Sequence, residues 1–176
     1  MKPQLSHVGI YVGDSESMIR FYVEVLGLTV TDRGLSTSAR QPIIFMSSAP
    51  HQHHQFVLVE GRAKDAPSTI NQLSFKVTSL TELREVAGKV TARGLKLRQT
   101  NHGNAWSVYF PDPEGNFVEI YLDTPWHVAQ PHGDPLDLAL SDEAIYAHTE
   151  KIVRADPTFK TREAREAELA RILEQA

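Results

Sequence analysis

Trp106-Ser-Val-Tyr109-Phe-Pro-Asp-Pro-Glu-Gly115-Asn-Phe-Val-Glu119-Ile-Tyr-Leu122 reads as strand, tight turn, strand. The turn lies in Pro111-Asp-Pro-Glu-Gly115, where proline fixes φ and glycine allows a positive one. Both flanking runs are rich in aromatic and β-branched residues, which suit a pleated, half-buried surface. Glu119 is the anomaly. Every other residue from Phe117 to Leu122 is apolar. A carboxylate buried there without a partner costs several kcal/mol, on the order of ~3 or more. It therefore requires a basic side chain, a hydrogen-bond cage or a metal ion.

Working outward, the chain contains the same pattern twice. Leu5 to Val12 alternates, with Val8, Ile10 and Val12 on one face and His7, Gly9 and Tyr11 on the other. Asp14 caps a helix that carries Met18, Phe21, Tyr22, Val25 and Leu26, and Gly27 ends it. Strands are expected at Leu28–Val30, Pro42–Met46 and Phe56–Val59, with a loop over Arg33–Gln41. After a linker from Gly61 to Ser68, Ile70–Val77 alternates again. Ser79 caps a second helix, closed by Gly94, and strands are expected at Leu95–Leu97, Trp106–Phe110 and Phe117–Leu122. This is β-α-β-β-β repeated, an internal duplication of pattern rather than identity. Gln72 takes in the second copy the place of His7 in the first.

Beyond Trp126 the character changes. Gln130–Pro135 reads as irregular, Ser141-Asp142 caps a helix to about Ala155, and Asp156-Pro157 breaks it. Thr161–Gln175 reads as an amphipathic helix packed on the domain or on a partner subunit.

The bulk numbers narrow the function classes. The 176 residues fit one domain with an appendage. A formal charge of −4 offers no basic field for nucleic acid. The absence of cysteine excludes disulfides, thiolate metal sites and cysteine nucleophiles. No apolar window spans a bilayer and no signal core opens the chain, so a cytoplasmic protein without a membrane partner is the expectation.

Two β-α-β-β-β modules, with Leu5-Ser-His-Val-Gly-Ile-Tyr-Val12, Phe21-Tyr22, Val25-Leu-Gly-Leu28 and Asp112-Pro-Glu-Gly-Asn-Phe-Val-Glu-Ile-Tyr121, resemble the vicinal oxygen chelate superfamily. That superfamily includes glyoxalase, fosfomycin- and bleomycin-resistance proteins and type I extradiol dioxygenases. The resemblance covers Leu5 to Leu122. It implies an α+β fold in which two paired modules, about 1–62 and 68–124, form a curved, partly open β-sheet barrel. A C-terminal helical extension, 125–176, follows. The metal positions it implies are His7, Leu58, Gln72 and Glu119. Leu58 cannot bind, which leaves His7, Gln72 and Glu119.

The spacing most resembles the small extradiol enzymes related to 2,3-dihydroxybiphenyl (catechol) dioxygenases. Tyr109 precedes Glu119 by ten residues, as their substrate-binding tyrosine does. His102-Gly103 resembles their histidine-glycine turn, and His54 matches their acid–base histidine. The implied catalytic set is His54, His102 and Tyr109. The implied cofactor is a divalent metal, Fe(II) or Mn(II), with Zn, Ni or Mg as alternatives. The implied substrate is a small aromatic diol, and the implied assembly a homodimer. Gln72 departs from the extradiol pattern, which has histidine there. An amide oxygen is a weaker, harder donor than imidazole and favours Mn(II) or Mg(II) over Fe(II). An isomerase or lyase working without oxygen, and a binding protein in which Gln72 or His7 satisfies Glu119, therefore stand as alternatives. His51 and His53 read as loop residues, and Trp106 and Trp126 as packing.

Overall fold

The computed structural model describes residues 2–175 and divides into two compact units. The first comprises Met1–Asn71 with the turn Pro111–Asn116; the second comprises Gln72–Phe110 and Phe117–Ala176. Both modules of the repeat are present.

In the first unit the elements are β1 (Val8–Val12), α1 (Ser15–Leu26), β2 (Thr29–Leu35), β3 (Pro42–Ser47) and β4 (Phe56–Glu60). The strand order is β1-β4-β3-β2, with β1 parallel to β4 and the other pairs antiparallel. The Asp14 side chain accepts from Ser17 N at 2.9 Å to start α1. Gly27, at φ 71°, stops it by returning its N–H to Val23 O while Leu28 N reaches Tyr22 O. Met18, Tyr22, Val25, Met46, Phe56 and Leu58 are fully buried in the core. Leu58, where the resemblance implies a ligand position, pairs with Ile10 in register.

The turn Pro111–Asn116 is held by side chains. Asp112 Oδ1 accepts from Glu114 N and Asn116 N at 2.9 Å each. Asp112 Oδ2 accepts from Asn116 Nδ2 at 2.7 Å and from the Tyr22 hydroxyl at 3.0 Å. Glu114 Oε1 accepts from Gly13 N and Asp14 N. Gly115 supplies the expected positive φ, 78°.

The second unit contains β5 (Leu73–Lys76), α2 (Leu80–Ala92), β6 (Arg98–Asn101), β7 (Ala105–Pro111) and β8 (Phe117–Asp123). Its order, β5-β8-β7-β6, repeats that of the first unit, again with its first and last strands parallel. The extension adds β9 (Trp126–His127), β10 (Asp134–Pro135), α3 (Asp142–Ala155), β11 (Lys160–Thr161) and α4 (Arg162–Gln175). Ser141 caps α3 through Ala144 N, as expected. Thr149 on α3 is fully buried. It accepts from Trp106 Nε1 at 2.8 Å and Asn101 Nδ2 at 2.9 Å, and donates to Ile145 O. Trp106 and Trp126 pack beside Tyr146, so both tryptophans are packing residues.

Four local expectations change. The first strand begins at Val8 rather than Leu5, and β2 runs to Leu35, into the expected loop. The second strand of the second module is Arg98–Asn101, not Leu95–Leu97. Its polar sequence carries no strand period; pairing with β7, from Arg98↔Tyr109 to Asn101↔Trp106, sets its place. Within the segment read as irregular, Asp134 and Pro135 pair with Asn101 and Thr100 at the sheet edge, where a proline is tolerated. The expected terminal helix is present as α4; none of its described residues is buried in the single chain, and Leu169, Ile172 and Leu173 are about half exposed.

Candidate functional site

Glu119 lies in the middle of β8, opposite Ser74 of β5 in register. It is only 8% exposed, so its carboxylate needs the partners that its sequence position demands. Oε2 accepts from Gln72 Nε2 at 2.9 Å and from Ser74 Oγ at 2.6 Å. Oε1 accepts a short hydrogen bond from the Tyr109 hydroxyl. Tyr109 is presented by β7, next to β8 in the sheet, and its hydroxyl also lies 2.8 Å from His102 Nε2. Burial first, then the hydrogen bond and charge of Glu119, push the Tyr109 phenol up to about 12. Tyr109 is therefore a neutral donor near pH 7. The Arg98 guanidinium stacks on its ring, 4.3 Å from the centroid.

These groups open on a cleft of about 400 Å³ lined by Ser74, His102, Asn104, Tyr109, Glu119 and Gln130, among others. Four of the six sequence-selected residues, Gln72, His102, Tyr109 and Glu119, thus join one hydrogen-bonded chain. Ser74 is the residue that the sequence reading misses, although period-two spacing offers a signal: it stands two residues after Gln72, which directly precedes β5.

His7 and His54 belong to the first unit. Their rings meet edge to face at 4.4 Å between centroids. His54 Nδ1 lies 2.9 Å from His53 Nδ1, and His53 Nε2 lies 3.3 Å from Asp32. Partial burial, then His7 and His53, hold the His54 imidazole below its ordinary value, so it is a neutral base. His53, read as a loop residue, thus has a defined contact with His54.

Among the described residues, no three His, Asp or Glu side chains cluster so as to hold a metal ion. A metal at Glu119 could draw on the neighbouring Gln72 amide as a further donor. The chemistry of the second unit accommodates that. A carboxylate has about four lone-pair sites, and Gln72, Ser74 and Tyr109 occupy three. One on Oε1 remains, while Gln72 turns its amide nitrogen to Glu119 and leaves its oxygen unused by that contact.

Residues 4–120 match the model of the Glyoxalase/Bleomycin resistance protein/Dioxygenase superfamily. The chain belongs to this superfamily. Its relatives there include biphenyl-2,3-diol 1,2-dioxygenase 3 of Rhodococcus globerulus, 25% identical over 69% of this chain and 64% of that protein. The match thus spans less than two thirds of that relative. Virulence protein STM3117 of Salmonella typhimurium strain LT2 is 28% identical over 66% of this chain and 82% of its own. Among solved structures, the glyoxylase/bleomycin resistance protein/dioxygenase domain from Frankia sp. EAN1pec superposes with a TM-score of 0.61. It is 24% identical and covers 70% of this chain and 100% of its own. The fosfomycin resistance protein FosX from Listeria monocytogenes, complexed with Mn(II) and sulfate, superposes at 0.55, with 20% identity over 70% of this chain and 95% of its own. At these identities the structural likeness establishes the superfamily's fold. No described helix is long and apolar enough to cross a membrane.

Proposed function

We propose that this chain is a divalent-metal-dependent enzyme resembling the extradiol dioxygenases of its superfamily, taking a small vicinal diol or catechol-like aromatic through two oxygens. The observation that carries the reading is Glu119. It is a buried carboxylate without a cationic partner among the described residues, on a cleft beside a protonated tyrosine and a histidine. A divalent metal ion is the cationic partner that such a carboxylate can take beside its hydrogen bonds. The donors we assign are His7, Gln72 and Glu119, with Fe(II) or Mn(II) preferred over Zn, Ni or Mg. When bound, the ion supplies Lewis acidity that lowers the pKa of a chelated diol.

The remaining work falls to the chain's own side chains. The Tyr109 hydroxyl donates to a substrate oxygen, since its raised pKa keeps it protonated. His54, neutral, takes a hydroxyl proton. His102 receives or returns a proton through Tyr109 at Nε2. The reading includes a two-module domain of 1–124 with an extension from 125, a cytoplasmic location and a homodimer. Relatives named as biphenyl-2,3-diol dioxygenases support the substrate class.

Two observations favour narrower alternatives. Gln72 in place of an imidazole suits Mn(II) and oxygen-free isomerase or lyase chemistry. Its hydrogen bond to Glu119 also satisfies the carboxylate without a cation, as a non-catalytic small-molecule-binding protein would require. The test is metal content after chelator-free purification, then cleavage of 2,3-dihydroxybiphenyl by Fe(II)- or Mn(II)-reconstituted protein, read by the yellow ring-cleavage product. Retained metal with cleavage supports the dioxygenase reading. Retained metal without colour moves the assignment to the oxygen-free class, and no retention of Fe(II), Mn(II), Ni(II) or Zn(II) refutes the enzyme reading.

A further inference from the structure

Which nitrogen of His102 carries the hydrogen is decided outside the two modules. His102 Nδ1 lies 2.7 Å from the backbone carbonyl of His132. A carbonyl oxygen can only accept, so Nδ1 must be the protonated nitrogen. In the neutral ring Nε2 is then the acceptor, and it faces the Tyr109 hydroxyl at 2.8 Å. In water the favoured neutral imidazole is the other tautomer, with hydrogen on Nε2. The fold therefore has to select this one.

The selecting group is held in place by Gln130. Its Oε1 accepts from His132 N at 3.1 Å, and its Nε2 donates to His102 O at 2.9 Å and to Asn104 Oδ1 at 3.2 Å. One side chain thus grips the backbone on both sides of the His102–His132 bond. Gly103 allows the segment to lie this close. It has φ 73°, and a Cβ there would stand 2.6 Å from the Val128 side chain.

We propose that Gln130 and the His132 peptide are positioning residues, through which the C-terminal extension imposes the Nδ1–H tautomer on His102 and makes its Nε2 a proton acceptor toward Tyr109. Both lie beyond the residues that match the superfamily model, 4–120, so this control comes from the extension. The inference goes beyond the proposed function and holds with or without a metal. Its consequence is that the Tyr109 hydroxyl has two acceptors, Glu119 Oε1 and His102 Nε2, for one hydrogen.

Long-range proton–nitrogen correlation spectra of the full-length, nitrogen-15-labelled chain test this directly, with His102→Gln used to assign the ring. The expected wild-type spectrum has His102 Nδ1 protonated and Nε2 unprotonated. In Gln130→Ala the Nδ1–H form is expected to fall from the dominant to the minor species, while the amide spectrum stays folded. Gln130→Met keeps the length of the side chain without its polar atoms and gives the same reading if the alanine variant does not fold. A wild-type ring with hydrogen on Nε2 overturns the proposal outright, and so does a tautomer that is unchanged in a folded Gln130 variant.

Discussion

Replacing Glu119 with glutamine should barely alter stability, although it changes a buried charged residue. Three donors serve the carboxylate: Gln72 Nε2, Ser74 Oγ and the Tyr109 hydroxyl. In the variant, the amide oxygen can stand where Oε2 is and keep the first two. The amide nitrogen then faces Tyr109 as a donor. Tyr109 can accept from it and turn its own hydrogen to His102 Nε2, which is already within reach and free to accept. The three existing donors all keep an acceptor, the amide's second N–H faces the open cleft, and the desolvated charge of a residue only 8% exposed is gone. The expected change is within about 1 kcal/mol, the scale of one hydrogen bond. Glu119→Ala removes the acceptor of Gln72 and Ser74 and leaves a void, while Tyr109 can still turn to His102. At about 1 kcal/mol for each of the two unreplaced bonds and about 1 kcal/mol for the void, it should cost ~3 kcal/mol. For a chain of this size that lowers Tm by roughly 6–12 °C, at ~2–4 °C per kcal/mol. Calorimetric unfolding in chelator-treated buffer separates the two. If the glutamine variant falls as far as the alanine variant, the proton arrangement along Glu119, Tyr109 and His102 is wrong.

Alkaline stability gives an independent view of Tyr109. Its folded pKa, near 12, lies above the usual tyrosine value, so the stability it confers is complete below about pH 10 and is lost as pH rises toward 12. Tyr109→Phe should flatten that decline in urea midpoints measured from pH 9 to 12; an unchanged slope would contradict the buried phenol. Asp123 has the opposite sign. Its hydrogen bond to Arg162 is the main cause that, with Lys76, holds it at about 2. The stability it confers is present above about pH 4 and is lost as pH falls through 2, so Arg162→Ala should reduce the acid-induced loss between pH 4 and 2. Thr149→Val keeps the shape but strands the buried donors of Trp106 and Asn101. It should cost about 2–4 kcal/mol in chemical unfolding, at roughly 1–2 kcal/mol for each stranded group.

The repeated module was legible because its helices carry both period and punctuation. Asp14, Gly27 and Ser79 mark ends that the structure reproduces in hydrogen bonds. Glu119 was legible as an isolated charge in an apolar run, and Tyr109 came with it through the turn between their strands. What failed to show in sequence is what long-range pairing decides. The polar β6 takes its register from β7, and the two-residue strands of the extension exist only through their partners. Helix α4 illustrates the converse: Leu169, Ile172 and Leu173 have helical spacing, yet spacing does not say what covers them. The group that orients His102 was invisible for a simpler reason. It is a backbone carbonyl, identical at every residue, and only the fold brings that of His132 to the ring.

Under the proposed function, Glu119 is the anionic ligand of a divalent metal site. Titration of Mn(II) into the chelator-stripped chain, followed by loss of the free-ion paramagnetic resonance signal, tests it most directly. One tight equivalent in the wild type, lost in the folded Glu119→Gln variant, is the predicted result. No binding in the wild type, or the same binding in the variant, would contradict it.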